Sequence, residues 1–267
     1  MNNSQLILAT TIVFILAGCT SDKNRTKTIT GSSNLVKATA PDAVEEYMRG
    51  YALPEFDGGK IQSPINVLNC DTVNLHRHNV ILHYRQSSEK IVNMGHTIQI
   101  EYQAGSTVEY DGHAYELKQF HFHTPSEHLV DGITYPMEMH MVHQRKEKDS
   151  TALTDYLVIG VWFKETKADN PFINEFLDAV PDQEGGVNEV KGGSVDVNDL
   201  FKQAPSLEYY HYNGSLTTPP YSESVTWLIV KHIFEASSRQ IERLNRLEGN
   251  NARHVHNKFK RVVDVID

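Results

Sequence analysis

The chain has 267 residues, 39% of them apolar and 22% charged, with 34 Asp and Glu against 25 Lys and Arg and a formal net charge of -9. This length and apolar content suit one domain with a single large core. The acidic balance offers no basic stripe to neutralise phosphates, which excludes nucleic acid as the partner.

Residues 6–17 form an apolar run, too short for a comfortable membrane span and of the length of a signal-peptide core. The run ends in Leu16-Ala17-Gly18-Cys19, which resembles a bacterial lipoprotein box. Lipidation at Cys19 would make it the mature N-terminus and anchor the protein in the bacterial cell envelope, facing the periplasm or the cell surface. Met1-Asn-Asn-Ser-Gln lacks the Lys or Arg normally found before such a run, and the competing reading is an uncleaved anchor helix. Residues 20–40 are rich in Ser, Thr, Lys and Asn without hydrophobic periodicity, the composition of a flexible tether. The expected organisation is a signal peptide at 1–18, a lipidated cysteine and tether at 19–40, and one domain at 41–267.

Within that domain, residues 98–102, 156–163 and 225–230 read as strands, and residues 171–180 and 237–247 as short helices. Pattern alone supports a β-rich single domain.

The chemistry is concentrated between Gln119 and His143. In Gln119-Phe-His-Phe-His123, alternation on a strand points His121 and His123 to one face and Phe120 and Phe122 to the other. A second strand would set Glu138, His140 and Val142 against Met137, Met139 and Met141. Antiparallel pairing through a turn at Asp131-Gly132 would bring His140 beside the first two histidines. Three neutral imidazoles leave a fourth tetrahedral position open, the arrangement of a catalytic zinc rather than a structural one. Glu138 could orient one of the imidazoles from behind. Two further pairs, His76/His78 and His254/His256, share the His-x-His spacing but lack a third histidine on a comparable strand. Among 14 histidines about one such pair arises by chance, so neither is read as a metal site.

These motifs have company. Gln62-Ser-Pro-Ile-Asn66, Asn93-Met-Gly-His96, Gln119-Phe-His-Phe-His123, Ser126-Glu-His128, Glu138-Met-His140, Gly214-Ser-Leu-Thr-Thr-Pro-Pro220 and Val225-Thr-Trp227 together resemble the alpha-class carbonic anhydrases, in order and spacing, over residues 54–267. The resemblance implies an α+β fold, β-dominated, with a large central and mostly antiparallel sheet and short peripheral helices. It implies reversible hydration of carbon dioxide to bicarbonate and a proton by zinc-bound hydroxide, with Zn2+ on His121, His123 and His140. Gln119 and Glu138 would support the ligands. Thr217 would accept a hydrogen bond from the nucleophile while its own hydroxyl donates one to Glu127, and His96 would shuttle protons to solvent. Val142, Val158, Leu216 and Trp227 would wall the substrate pocket, and Thr218 would contact bicarbonate. Homodimers are also compatible with the resemblance.

The chain departs from the family in four places. A disulfide common in bacterial relatives has no cysteines here: Gly58-Gly59-Lys60 and Tyr221 occupy those neighbourhoods, and with Cys19 committed to lipid, Cys70 falls outside any intrachain bridge. The usual His-Trp-x-Tyr segment is missing, with Tyr47 and Tyr51 the nearest candidates. Met94 and Gln99 stand where relatives often carry water-ordering asparagines, and His254 and His256 read as structural variation. The alternative to an enzyme is a non-catalytic, carbonic-anhydrase-like surface binding module. Such relatives typically lose a zinc histidine, whereas all three are present here.

Overall fold

A computed structural model describes residues 59–75, 78–88, 90–146, 156–189 and 195–266. The expected signal peptide, Cys19, the tether, Tyr47, Tyr51 and His76 lie outside the described residues.

Alternating and continuous apolar segments fold into strands β1 (Asn66–Val67), β2 (Thr72–Val73), β3 (Val80–His83), β4 (Lys90–Asn93), β5 (Ile98–Glu101), β6 (Thr107–Tyr110), β7 (His113–His123) and β8 (Leu129–Val130). They continue as β9 (Met137–Arg145), β10 (Tyr156–Thr166), β11 (Val187–Glu189), β12 (Tyr209–Gly214), β13 (Val225–Val230), β14 (Phe234–Ser237) and β15 (Val263–Ile266). The helices are short: α1 (Pro171–Asn174), α2 (Val197–Phe201) and α3 (Ser238–Glu248). A mostly antiparallel sheet of 13 strands runs β11-β4-β5-β7-β9-β10-β13-β12-β15-β2, with β14 beside β10 and the β3/β6 pair attached to β7. Its parallel contacts are β10 with β13 and β14, and β15 with β2. The chain is thus an α+β domain with one dominant sheet. Among the described residues no helix is long and apolar enough to cross a membrane.

The helix expected over 171–180 forms only one α-turn. Asn170 caps it by accepting from the Phe172 amide, and the chain then passes into a 3-10 turn at Leu177–Ala179. The helix at 237–247 is α3, started by a capping box between Ser237 and Gln240.

Both sheet faces are covered. Phe120, Phe122, Met139, Met141, Ile159 and Leu228 belong to the larger core on one face. Val158, Trp162, Tyr212 and Trp227 belong to the smaller core on the other. Within β7 the assignment to faces changes partway. Tyr115 and Leu117 point into the larger core, and so do Phe120 and Phe122, because a bulge at Lys118 inserts one residue between Leu117, opposite His143, and Gln119, opposite Val142. One extra residue inverts the alternation, since the side-chain period of a strand is two. His121 and His123 are thereby turned to the face of the smaller core.

The Asp131-Gly132 turn forms, with φ of 50° and 79°, but does not join β7 to β9 directly. It closes a small excursion in which β8 leaves the main sheet to pair in parallel with β1. The expected hairpin is therefore an antiparallel pair with an elaborated connection.

Candidate metal centre

Register brings the histidines together. His121 lies directly opposite His140, and His123 opposite Glu138, in the β7–β9 ladder. The ring centroids of His121, His123 and His140 are 4.6–5.4 Å apart, and one nitrogen from each ring falls within 4.8 Å of the others. His123 and His140 are buried, while His121 is half-buried at the cavity.

Each outer ring has one nitrogen committed behind it. His121 Nδ1 donates to Gln119 Oε1 at 2.8 Å, and His140 Nε2 donates to Glu138 Oε1 at 2.8 Å. These bonds fix the rotation and tautomer of each ring and leave His121 Nε2 and His140 Nδ1 as acceptors. His123 Nε2 is buried with no hydrogen-bond partner, a cost of about 1–3 kcal/mol that a bound cation would relieve. Burial pushes the His121 and His123 imidazoles well below their usual range, reinforced by the neighbouring rings. The unprotonated form so favoured is the one that ligates a metal. Three convergent ring nitrogens, one of them orphaned, fit a metal ion.

Glu138, expected behind the triad, is also the centre of a wider buried polar network that the sequence did not signal. Glu138 Oε1 also lies 2.7 Å from His128 Nδ1, while Oε2 accepts the backbone amides of Glu127 and His128 at 2.9 and 2.8 Å. His128 Nε2 is 2.5 Å from the Tyr212 hydroxyl, which donates to Ser63 Oγ at 2.9 Å. Burial alone would raise the Glu138 carboxyl, but His128 and His140 hold it well below the carboxylate range. His128, Glu138 and His140 form another tight cluster, whose members these hydrogen bonds tie to one another. The signal for His128 was present in Ser126-Glu-His128, yet nothing local distinguishes it from a surface histidine.

Glu127 is almost fully buried and accepts the Arg253 amide at 2.9 Å through Oε1. Burial raises its pKa, opposed by His140, the Thr217 hydroxyl and the Arg253 amide. Thr217 is thus brought beside Glu127. The loop that carries it is tied down from three sides. The Trp227 indole donates to the Ser215 carbonyl at 3.0 Å, Ser215 Oγ accepts the Ser63 amide at 2.9 Å, and Arg253, anchored on Ser63 O at 2.6 Å and Gln62 Oε1 at 2.9 Å, donates to the Leu216 carbonyl at 3.4 Å. Gly214 before it is confined: a Cβ there would sit 2.1 Å from Ser63 Oγ.

A cavity of about 210 Å³ opens over the triad, lined by Gln119, His121, His140, Val142, Tyr156, Val158, Leu216, Thr217, Thr218 and Trp227. All five residues expected to meet substrate line it, and Tyr156 is an addition that sequence pattern treated only as a strand end. His96 sits half-buried in the Gly95 turn between β4 and β5 and does not line the cavity. Its carbonyl accepts from Asn251 at 2.9 Å, and its ring is close enough to depress the His121 pKa. Met94 is exposed, and Gln99 pairs with His121 across β5 and β7. Cys70 is exposed in the 3-10 turn Asn69–Asp71.

Comparison with known proteins agrees with the site. Residues 50–265 match the family model described as eukaryotic-type carbonic anhydrase. The carbonic anhydrase of Nostoc sp. (strain PCC 7120) is 31% identical over 92% of this chain and 90% of its own length, and that of Neisseria gonorrhoeae is 36% identical over 77% of each. A hyperthermostable carbonic anhydrase from an active hydrothermal vent chimney superposes with a TM-score of 0.70 at 37% identity, covering 78% of this chain and 89% of that one. With the family model spanning nearly all of the described fold and the triad at its centre, the chain belongs to the carbonic anhydrase family and is an enzyme of its alpha class.

Proposed function

We propose that this protein hydrates carbon dioxide reversibly to bicarbonate and a proton at a zinc ion held by His121, His123 and His140. The reading rests on three mutually oriented imidazoles beside a small, largely apolar cavity. An all-imidazole set suits zinc among the common divalent ions. When bound, zinc would supply Lewis acidity that brings the pKa of water to about 7, a value established for carbonic anhydrases as a class and not obtained from this chain.

The chain's own residues do the rest. Gln119 and Glu138 hold the outer imidazoles in one tautomer. Thr217, donating to Glu127, would present only lone pairs to the cavity and so select the orientation in which the nucleophile donates to it. Val142, Val158, Leu216 and Trp227 provide an apolar surface for a small apolar substrate, and Thr218 would donate to bicarbonate. His96, near the cavity yet half-exposed, would carry the released proton to solvent. Stopped-flow hydration with and without a chelator, alongside His140→Ala, tests the assignment. Activity should vanish in both and return in wild type on adding zinc. Zinc-loaded wild type without hydration activity would end the enzyme reading; activity surviving in His140→Ala would end the ligand assignment.

We further propose the domain at 41–267, the signal peptide at 1–18 and lipid anchoring through Cys19 after a tether at 19–40, with the protein in the bacterial cell envelope. Support comes from Leu16-Ala17-Gly18-Cys19 following its apolar run. Mass spectrometry of the mature N-terminus should show an acylated Cys19; an intact Met1 would exclude it. Homodimer formation is open to sedimentation analysis.

A further inference from the structure

On the opposite face of the sheet from the triad, His78, His211 and Asp264 form another cluster whose ligand atoms lie within 4.8 Å of one another. His211 on β12 and Asp264 on β15 are cross-strand partners, and His211 also pairs with Leu228 of the larger core. His78 arrives from the β3/β6 arm. That arm folds back so that Tyr110 reaches His211 although β7, β9, β10 and β13 lie between them in the sheet.

The hydrogen bonding has the form of a prepared ligand set. His78 Nδ1 lies 2.7 Å from Asp111 Oδ2 and 2.9 Å from the Tyr110 hydroxyl, and His211 Nε2 lies 3.2 Å from the same hydroxyl. Among the described residues this leaves His78 Nε2 and His211 Nδ1 without hydrogen-bond partners. A carboxylate behind one ring nitrogen, with the other left open, is the usual support of a metal-ligating histidine. Asp264 is only 3% exposed; its Oδ1 accepts the Leu75 amide at 2.9 Å, but its Oδ2 is buried with no partner. A buried carboxylate beside two imidazoles, with one oxygen orphaned, is costly unless a cation satisfies it.

We propose that His78, His211 and Asp264 form a second binding site for a divalent transition-metal ion of zinc's class, oriented by Asp111 and Tyr110. Two imidazoles and a carboxylate match the preferences of such ions. The site is separate from the triad and would clamp the β3/β6 arm to the C-terminal strand, a structural role needing no turnover.

The test uses the full chain, stripped with chelator and titrated with Zn2+ by calorimetry, with metal content measured after gel filtration. Wild type should bind two equivalents. Asp264→Asn should bind one, with carbon dioxide hydration unchanged, while His140→Ala should keep the equivalent that Asp264→Asn loses. Asp111→Asn should weaken that equivalent about 10–100-fold. Should Asp264→Asn fail to fold by circular dichroism, His211→Gln provides the same reading. A single equivalent in wild type, or a second one that persists in both Asp264→Asn and His211→Gln, would overturn the proposal. Loss of hydration in His140→Ala bears only on the triad, so the two assignments fail separately.

Discussion

Glu138 Oε1 lies 2.8 Å from Nε2 of His140, two residues further along the same strand and facing the same side of the sheet. The bond points His140 Nδ1 toward His121 and His123, and the carboxylate is itself locked by His128 and two backbone amides. Glu138→Gln should therefore weaken metal binding about 10–100-fold without unfolding the protein, measured by chelator competition with circular dichroism as control. Unchanged affinity would make Glu138 a packing residue.

Thr217→Val removes a hydroxyl while retaining shape. Metal content should stay at the wild-type level while kcat/KM for hydration falls by roughly 100-fold, the scale of losing one preorganised hydrogen-bonding group at a reacting centre. Equal activity would remove Thr217 from the nucleophile's environment.

His96→Ala should lower kcat in dilute buffer and leave kcat/KM nearly intact, because proton release follows the chemistry on carbon dioxide. Adding imidazole as an exogenous carrier should restore turnover. Failure of that rescue would assign His96 a structural role.

His143 faces the larger core rather than the cavity. Its Nδ1 donates to the Leu157 carbonyl at 3.1 Å, and its Nε2 accepts from the Tyr84 hydroxyl at 2.9 Å. Burial depresses its pKa from 6.5 to about 4, opposed by backbone carbonyls. Between those values the unfolded chain binds more protons, so stability is fully present above about pH 6.5 and is lost as pH falls toward 4. The contribution is on the order of 3 kcal/mol. Urea unfolding across this range should show a shallower acid limb in His143→Gln than in wild type.

Phe120 is fully buried, with Phe172 and Phe176 each 5.6 Å away between ring centroids. Phe120→Ala should cost about 3–5 kcal/mol in urea unfolding. A loss below 1 kcal/mol would mean the aromatic cluster recloses around the cavity.

Much of the site was legible because it depends on short-range periodicity. Alternation placed Phe120 and Phe122 opposite His121 and His123, and the same rule set Glu138, His140 and Val142 together on their strand. What escaped depends on contacts distant in sequence. Arg253 supports Glu127 and Gln62 from near the C-terminus, and Tyr212 meets His128 across 84 residues. The His76/His78 spacing gave no reason to single out His78, because its neighbours His211 and Asp264 come from remote strands.

The sequence by itself determined that the chain is β-rich, that two adjacent strands carry three histidines able to converge, and that the ordered motifs resemble one family, since each follows from local spacing. Only the tertiary structure decided which face of β7 the histidines occupy beyond the Lys118 bulge, how Glu138 is buried yet kept charged, and that His78, His211 and Asp264 meet. Those outcomes depend on register and burial, which are properties of the assembled sheet rather than of any one strand.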